Sequence, residues 1–190
     1  MATIAAISKV PDKVKIEAAR GIWKGWDDLR DAGASEKALL QLSKGRTNLD
    51  DLAGSLQRST HVGGAPAKFF DDGPAGERFL EDLYGVNVSG ADKQVSAATT
   101  GCADVCNPIR RRFDVLADGV AHESKVGYVR LTSSIEKQIR SDAWLTSMGE
   151  IEGAHWHFFA SAGSNSVGAD KKVLDLLDEL GIPYTVHLPV

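Results

Sequence analysis

The chain has 190 residues, 43% of them hydrophobic and 25% charged, with a formal net charge of −4. That length fits one domain with an appended segment or two small domains, and no apolar run approaches the roughly 20 residues of a membrane-spanning helix. The acidic balance excludes a grip on nucleic acid through bulk positive charge, so any such contact has to come from a local patch.

The first residues hold a short apolar stretch with no basic region before it, and no secretory signal peptide is expected. Residues 1 to 70 read as a helical N-terminal segment. Ile16, Ala19, Ile22, Trp23 and Trp26 recur near the helical period, predicting a helix from Val14 to Leu29. A second is expected from Ser35 to Leu42, and a third from an N-cap at Thr47 or Asn48 to about Leu56. His61-Val62-Gly63-Gly64-Ala65-Pro66 is the best candidate boundary. Pro74 opens a helix to about Tyr84, ended by Gly85. A weak strand follows from Gln94 to Ala98, then two strands, Arg111 to Ala117 and Val120 to Tyr128. A helix from Ser133 or Ser134 to about Met148, a strand from Ala154 to Ala160, a helix from Ala169 to Leu180 and a strand from Pro183 to Leu188 complete the order. Residues 71 to 190 thus predict a mixed α/β domain, strands covered by helices, with the Pro183 strand near a sheet edge or beginning after its proline.

Asp118-Gly119 between two alternating runs is a strong hairpin signal. With those two residues as the loop, 117 faces 120, 116 faces 121 and 114 faces 123. Asp114 and Glu123 then oppose each other, about 5 Å apart at Cβ. Lys125 joins their face, with Arg112 opposite it, while Phe113, Val115, Ala117, Val120 and Val126 line the other. Like charges rarely oppose each other across strands, and a divalent cation between them removes the penalty. Mg²⁺ prefers oxygen ligands and suits two carboxylates plus a substrate phosphate. Lys125 could orient or help deprotonate an attacking water and stabilise transition-state charge. A solvated salt-bridge cluster is the alternative reading of the same spacing.

Asp114, eight residues, then Glu123-Ser124-Lys125 resembles the D…(D/E)xK core of the PD-(D/E)XK nucleases, the restriction-endonuclease-like superfamily. The run from Arg111 to Tyr128, with Ile135, Gln138, Ile139, Asp142 and Leu145, is similar to nuclease domains at the C-termini of bacterial polymorphic toxins. The similarity extends from about Gly76 to Pro189. The superfamily's proline before the aspartate is replaced by Phe113, a variable position. The resemblance implies a restriction-endonuclease-like mixed sheet core flanked by helices, and Mg²⁺- or Mn²⁺-dependent cleavage of phosphodiester bonds. It also implies a helical carboxylate beside the metal, for which Glu77 is the candidate and Glu81 the lesser alternative, and a polar residue, Gln138, on the helix after the hairpin. The expected catalytic set is Asp114, Glu123, Lys125, Glu77 and Gln138, with Asp114, Glu123 and Glu77 holding the metal.

Arg110, Arg111, Arg112, Arg130 and Lys137 are the candidate phosphate-binding residues, a mixed solvated surface being the alternative. DNA is preferred over RNA as substrate, although no base-reading module decides it. The resemblance further implies delivery within a larger toxin, action in the target-cell cytoplasm and a cognate immunity protein. A tRNA-cleaving toxin of the same fold and a non-catalytic nucleic-acid-binding module are the alternatives. His155 and His157 share one face of a strand and could ligate zinc as in some hydrolases, or serve as core or rim histidines, His157 near the active site. Cys102 and Cys106 read as two free thiols or one local disulfide, or as part of a zinc site completed by distant histidines.

Overall fold

A computed structural model describes residues 11–58, 67–86, 90–102, 105–106 and 110–190. The boundary expected at His61 to Pro66 lies outside those residues. Where one helix is predicted, two form: α1 (Asp12–Ile22) and α2 (Trp26–Asp31). The break falls at Gly25, whose N–H donates to Asp50 Oδ1 at 2.7 Å. A Cβ on Gly25 would come within 2.6 Å of Ala53 Cβ, so this close approach needs glycine. Helix α3 (Glu36–Leu42) starts where predicted, Ser35 Oγ accepting from the Ala38 N–H at 3.1 Å. Ahead of α4 (Leu49–Arg58), Asn48 Oδ1 accepts from the N–H groups of Asp50 and Asp51. Helix α5 (Gly73–Leu83) is capped by Asp72.

The strands are β1 (Asp92–Lys93), β2 (Ser96–Ala98), β3 (Arg110–Arg112), β4 (Val115–Ala117), β5 (Val120–Val126) and β6 (Tyr128–Val129). After α6 (Ser133–Ser147) come β7 (Gly153–Phe159), β8 (Gly168–Ala169), α7 (Lys171–Glu179) and β9 (Tyr184–His187). Five of them form one mixed sheet in the order β1-β4-β5-β7-β9. β1, β4 and β5 are antiparallel neighbours, while β5, β7 and β9 run parallel, joined through α6 and α7. β9 closes one edge and begins after Pro183, in line with both alternatives expected for that strand. The chain is therefore a mixed α/β protein whose sheet is flanked by helices.

The predicted Arg111–Ala117 strand is kinked. Asp92 opposes Leu116 and Ser96 opposes Arg112, so β1–β2 and β3–β4 keep one antiparallel register throughout. Gln94 interrupts it with a φ of 55°, unusual for a residue with a side chain. Hydrogen bonds from Gln94 N to the Asp114 carbonyl, 2.9 Å, and from Phe113 N to the Val95 carbonyl, 2.8 Å, hold the kink. Its consequence is an exchange of faces. Phe113, expected beside Val115, joins the large core with Ala121, Trp156 and Phe158, while Val115 and Ala117 join a second cluster with Leu80 and Phe159.

The N-terminal helices share that large core: Trp26, Leu29, Leu39, Leu42 and Leu49 are buried in the same cluster as Ile139 and Tyr184. Tyr184 Oη donates to the Ser55 carbonyl at 3.3 Å, and Arg58 pairs with Asp175 and Asp178 on α7. Across residue 70, Phe70 N donates to the Ala160 carbonyl and Ala162 N to the Phe70 carbonyl. Cys102 and Cys106 are joined by a disulfide, Cα atoms 5.9 Å apart, which takes both away from any zinc site. Among the described residues, no helix is long and apolar enough to cross a membrane.

Candidate active site

The hairpin between β4 and β5 has the predicted register: Ala117 opposes Val120, Leu116 opposes Ala121 and Val115 opposes His122. Asp118 and Gly119 take φ values of 48° and 77°, the left-handed pair that a two-residue loop requires. The ladder stops one step short of Asp114, which instead turns its carboxylate onto β5, Oδ2 accepting from the Ser124 N–H at 2.7 Å. Asp114 thereby reaches the neighbourhood of Glu123 through a side-chain bond rather than a strand pair.

Glu123 is buried, and its charge is met on two sides. Lys125 Nζ donates to Oε1, and Arg111 Nη2 lies 2.9 Å from Oε2. Burial alone would push the carboxyl up, but Lys125 and Arg111 hold it below the usual carboxylate range. Lys125 also donates to Gln138 Oε1 at 3.0 Å, and its ammonium lies 5.0 Å from the centroid of the Trp156 ring. Glu77 on α5 accepts from Gln94 Nε2 at 3.0 Å. Burial, then the negative charge of Glu123, push Asp114 up to about 7; Glu77 adds to the rise, and the Ser124 N–H and Lys125 oppose it. Glu123 and Glu77 thus both disfavour a charge on Asp114.

Asp114, Glu123 and Glu77 offer the donor type that a divalent cation takes, but among the described residues the three-ligand group whose donor atoms converge is His122, His155 and His157. The carboxylates' donors are hard oxygens, burial and then the charge of Glu123 raise Asp114, and Glu123 Oε2 is buried without an aligned hydrogen bond despite its ion pair. All five expected catalytic residues, Asp114, Glu123, Lys125, Glu77 and Gln138, lie within this connected group.

The candidate phosphate-binding residues separate. Arg111, expected on the surface, is buried and clasps Asp142, Nε to Oδ1 at 2.7 Å and Nη2 to Oδ2 at 3.3 Å, besides Glu123. The kink at Gln94 turns Arg111 inward and puts Arg112, expected opposite Lys125, outward. Arg110 and Arg112 are exposed and line a cleft of about 450 Å³ with Ser96 and Gln94. Gln94 joins that cleft to Glu77. Lys137 is half-buried on α6. Arg130 is exposed, and its charge is felt at Tyr128 beside Asp51 and Asp170, not at the carboxylates.

Asp142, quoted in the resemblance without a role, and Trp156 join the site as residues to which the sequence reading assigned no part. Trp156 Nε1 donates to Asp142 Oδ2 at 2.9 Å, so Asp142, Arg111 and Trp156 brace Glu123 from below. A signal existed: Ile135, Ile139 and Asp142 lie at i, i+4 and i+7, which puts a carboxylate in the apolar stripe of α6 and demands a buried partner. His157 is buried and His155 half-buried, but both lie on the face of the sheet opposite Glu123 and Lys125.

No protein-family model matches the chain, and neither a curated protein nor a solved structure matches it.

Proposed function

We propose that the chain is a metal-dependent phosphodiester hydrolase acting at Asp114, Glu123 and Lys125. The observation that carries the reading is Lys125 bridging Glu123 and Gln138 beside an Asp114 whose carboxyl is raised by burial and then by the charge of Glu123. Asp114, Glu123 and Glu77 would hold Mg²⁺ or Mn²⁺, which when bound supplies polarisation of the scissile phosphate and a more acidic water. The ammonium of Lys125 orients the attacking water and offsets charge on the phosphate oxygens. Gln138 and the Trp156 ring fix that ammonium; Arg111 and Asp142 fix Glu123. Arg110 and Arg112 hold phosphates flanking the scissile bond in the cleft next to Gln94, which favours a polymeric substrate.

More particularly, the proposed role is that of a DNA-cleaving effector domain of an interbacterial toxin, of restriction-endonuclease-like fold. It would be delivered within a larger polypeptide, act in the target-cell cytoplasm and be blocked by a cognate immunity protein. The resemblance of Arg111 to Tyr128 to toxin nuclease domains supports this role, and the Cys102–Cys106 disulfide is consistent with passage through an oxidising compartment. Supercoiled plasmid and total tRNA, each incubated with the protein in Mg²⁺ or EDTA, test it. Metal-dependent plasmid nicking is the expected outcome. Cleavage of tRNA alone moves the substrate to RNA, and cleavage of neither, even in Mn²⁺, removes the hydrolase reading in favour of a binding module.

A further inference from the structure

Four of the chain's five histidines stand on one face of the sheet, the face opposite the carboxylates. They come from three adjacent parallel strands: His122 on β5, His155 and His157 on β7, and His187 on β9. Register brings them together, His122 opposing His155 and His187 opposing Phe159, two residues beyond His157. The rings are linked edge to edge. His122 Nδ1 lies 3.1 Å from His157 Nε2, and His157 Nδ1 lies 3.0 Å from His187 Nε2. His155 stacks on His157 with centroids 4.4 Å apart and is anchored by Nε2 to Thr185 Oγ1 at 2.9 Å. Tyr84, at the end of α5, stacks on His122 at 3.8 Å and puts its hydroxyl 3.4 Å from His157 Nε2.

We propose that His122, His155 and His157 form a zinc site, with Tyr84 beside its fourth position and His187 orienting His157 from behind. Each of the three offers one ring nitrogen, and these nitrogens all lie within 4.8 Å of one another. A tetrahedral zinc with Zn–N bonds of 2.0–2.1 Å sets its nitrogens about 3.4 Å apart. The His122–His157 pair is already at that spacing, and the widest pair has to close by no more than about 1.4 Å, a movement within reach of ring rotation. The donor set selects the ion: imidazole suits Zn²⁺, whereas Mg²⁺ requires oxygen.

The protonation states fit as well. A proton on His157 Nδ1, donated to His187 Nε2, makes Nε2 the ligating atom, the usual arrangement behind a metal-bound histidine. His122 then moves its proton from Nδ1 to Nε2, and zinc takes the Nδ1 lone pair with no net proton lost. A water completes the tetrahedron, with the Tyr84 hydroxyl as its hydrogen-bond partner. His155 and Tyr84 are only half-buried and give the ion its way in. The site ties β5 to β7 and, through Tyr84, to α5. It stands independently of the proposed hydrolase.

The test titrates ZnCl₂ into metal-free full-length protein by calorimetry, with X-ray absorption on the loaded sample. The expected result is one zinc per chain with three imidazole nitrogens at 2.0–2.1 Å, a rise in Tm, and no displacement by excess Mg²⁺. His155→Ala, at the half-exposed ligand, abolishes stoichiometric uptake. His187→Gln weakens it roughly 10- to 100-fold, and Glu123→Gln leaves it unchanged. Absence of stoichiometric binding to the wild type overturns the proposal. So does uptake that survives His155→Ala but is lost in Glu123→Gln, which would put the ion among the carboxylates. The absorption spectrum of the wild type decides the ligands even if a variant fails to fold.

Discussion

The two faces of β5 carry opposite solutions to burying polar groups. On the odd-numbered face, Glu123 and Lys125 are charged, and each charge is met: Glu123 by Lys125 and Arg111, Arg111 in turn by Asp142. On the even-numbered face, His122 and Ser124 lie under α5 as neutral groups, and the histidines bond to one another. One strand thus presents hard oxygen donors to one side and imidazole nitrogens to the other, because alternate residues point to opposite faces. Neighbouring residues of one strand can therefore serve unrelated chemistry.

Removing a partner on the charged face has the largest expected effect. Arg111→Ala leaves Asp142 buried without its cation and Glu123 with Lys125 alone, and urea denaturation should register a loss of about 3–5 kcal/mol. A loss below about 1 kcal/mol would mean those carboxylates are not held by Arg111. Lys125→Ala removes the ammonium that the proposed mechanism directs at the phosphate and leaves Glu123 its Arg111 partner. Single-turnover cleavage should slow by roughly 10²- to 10³-fold while the urea midpoint moves far less than in Arg111→Ala.

The neutral face answers to volume instead. At Gly76 an added Cβ meets Val126 Cγ2 at 2.6 Å and Ser124 Oγ at 2.7 Å, because α5 lies directly on β5. Overpacking costs about 1–3 kcal/mol and the alanine's better helix propensity returns about 1 kcal/mol. Gly76→Ala should therefore destabilise by about 1 kcal/mol; a rise in Tm would show that α5 sits further from the strand. The smallest effect on stability belongs to the exposed cleft. Arg110→Ala and Arg112→Ala should each stay within about 0.5 kcal/mol of wild type, yet each should lower the salt dependence of DNA binding by about one unit of log–log slope.

The charged face was legible because its determinants are local. Asp118-Gly119 sets the register, and the register brings Glu123 and Lys125 to Asp114's side. Gln138 came only through the resemblance, which implies a polar residue on the helix after the hairpin. Arg111 was misplaced because alternation was carried through Phe113 and Asp114, where the positive φ of Gln94, on the partner strand, exchanges inside for outside. No pattern within Arg111 to Ala117 records a kink imposed from across the ladder. The single N-terminal helix failed for a similar reason: its break at Gly25 is set by contact with Leu49 and Ala53, far along the chain. The histidine cluster was half visible. His155 and His157 share a strand face by period alone, but His122, His187 and Tyr84 reach them only through sheet order and the placement of α5.

The most direct test of the charged face is plasmid nicking by wild type and Glu123→Gln across a Mg²⁺ titration, with circular dichroism to confirm that both are folded. The account predicts cleavage that rises with Mg²⁺, stops in EDTA and falls by roughly 10³-fold in the variant. Cleavage that ignores EDTA, or that proceeds equally in Glu123→Gln, would contradict it.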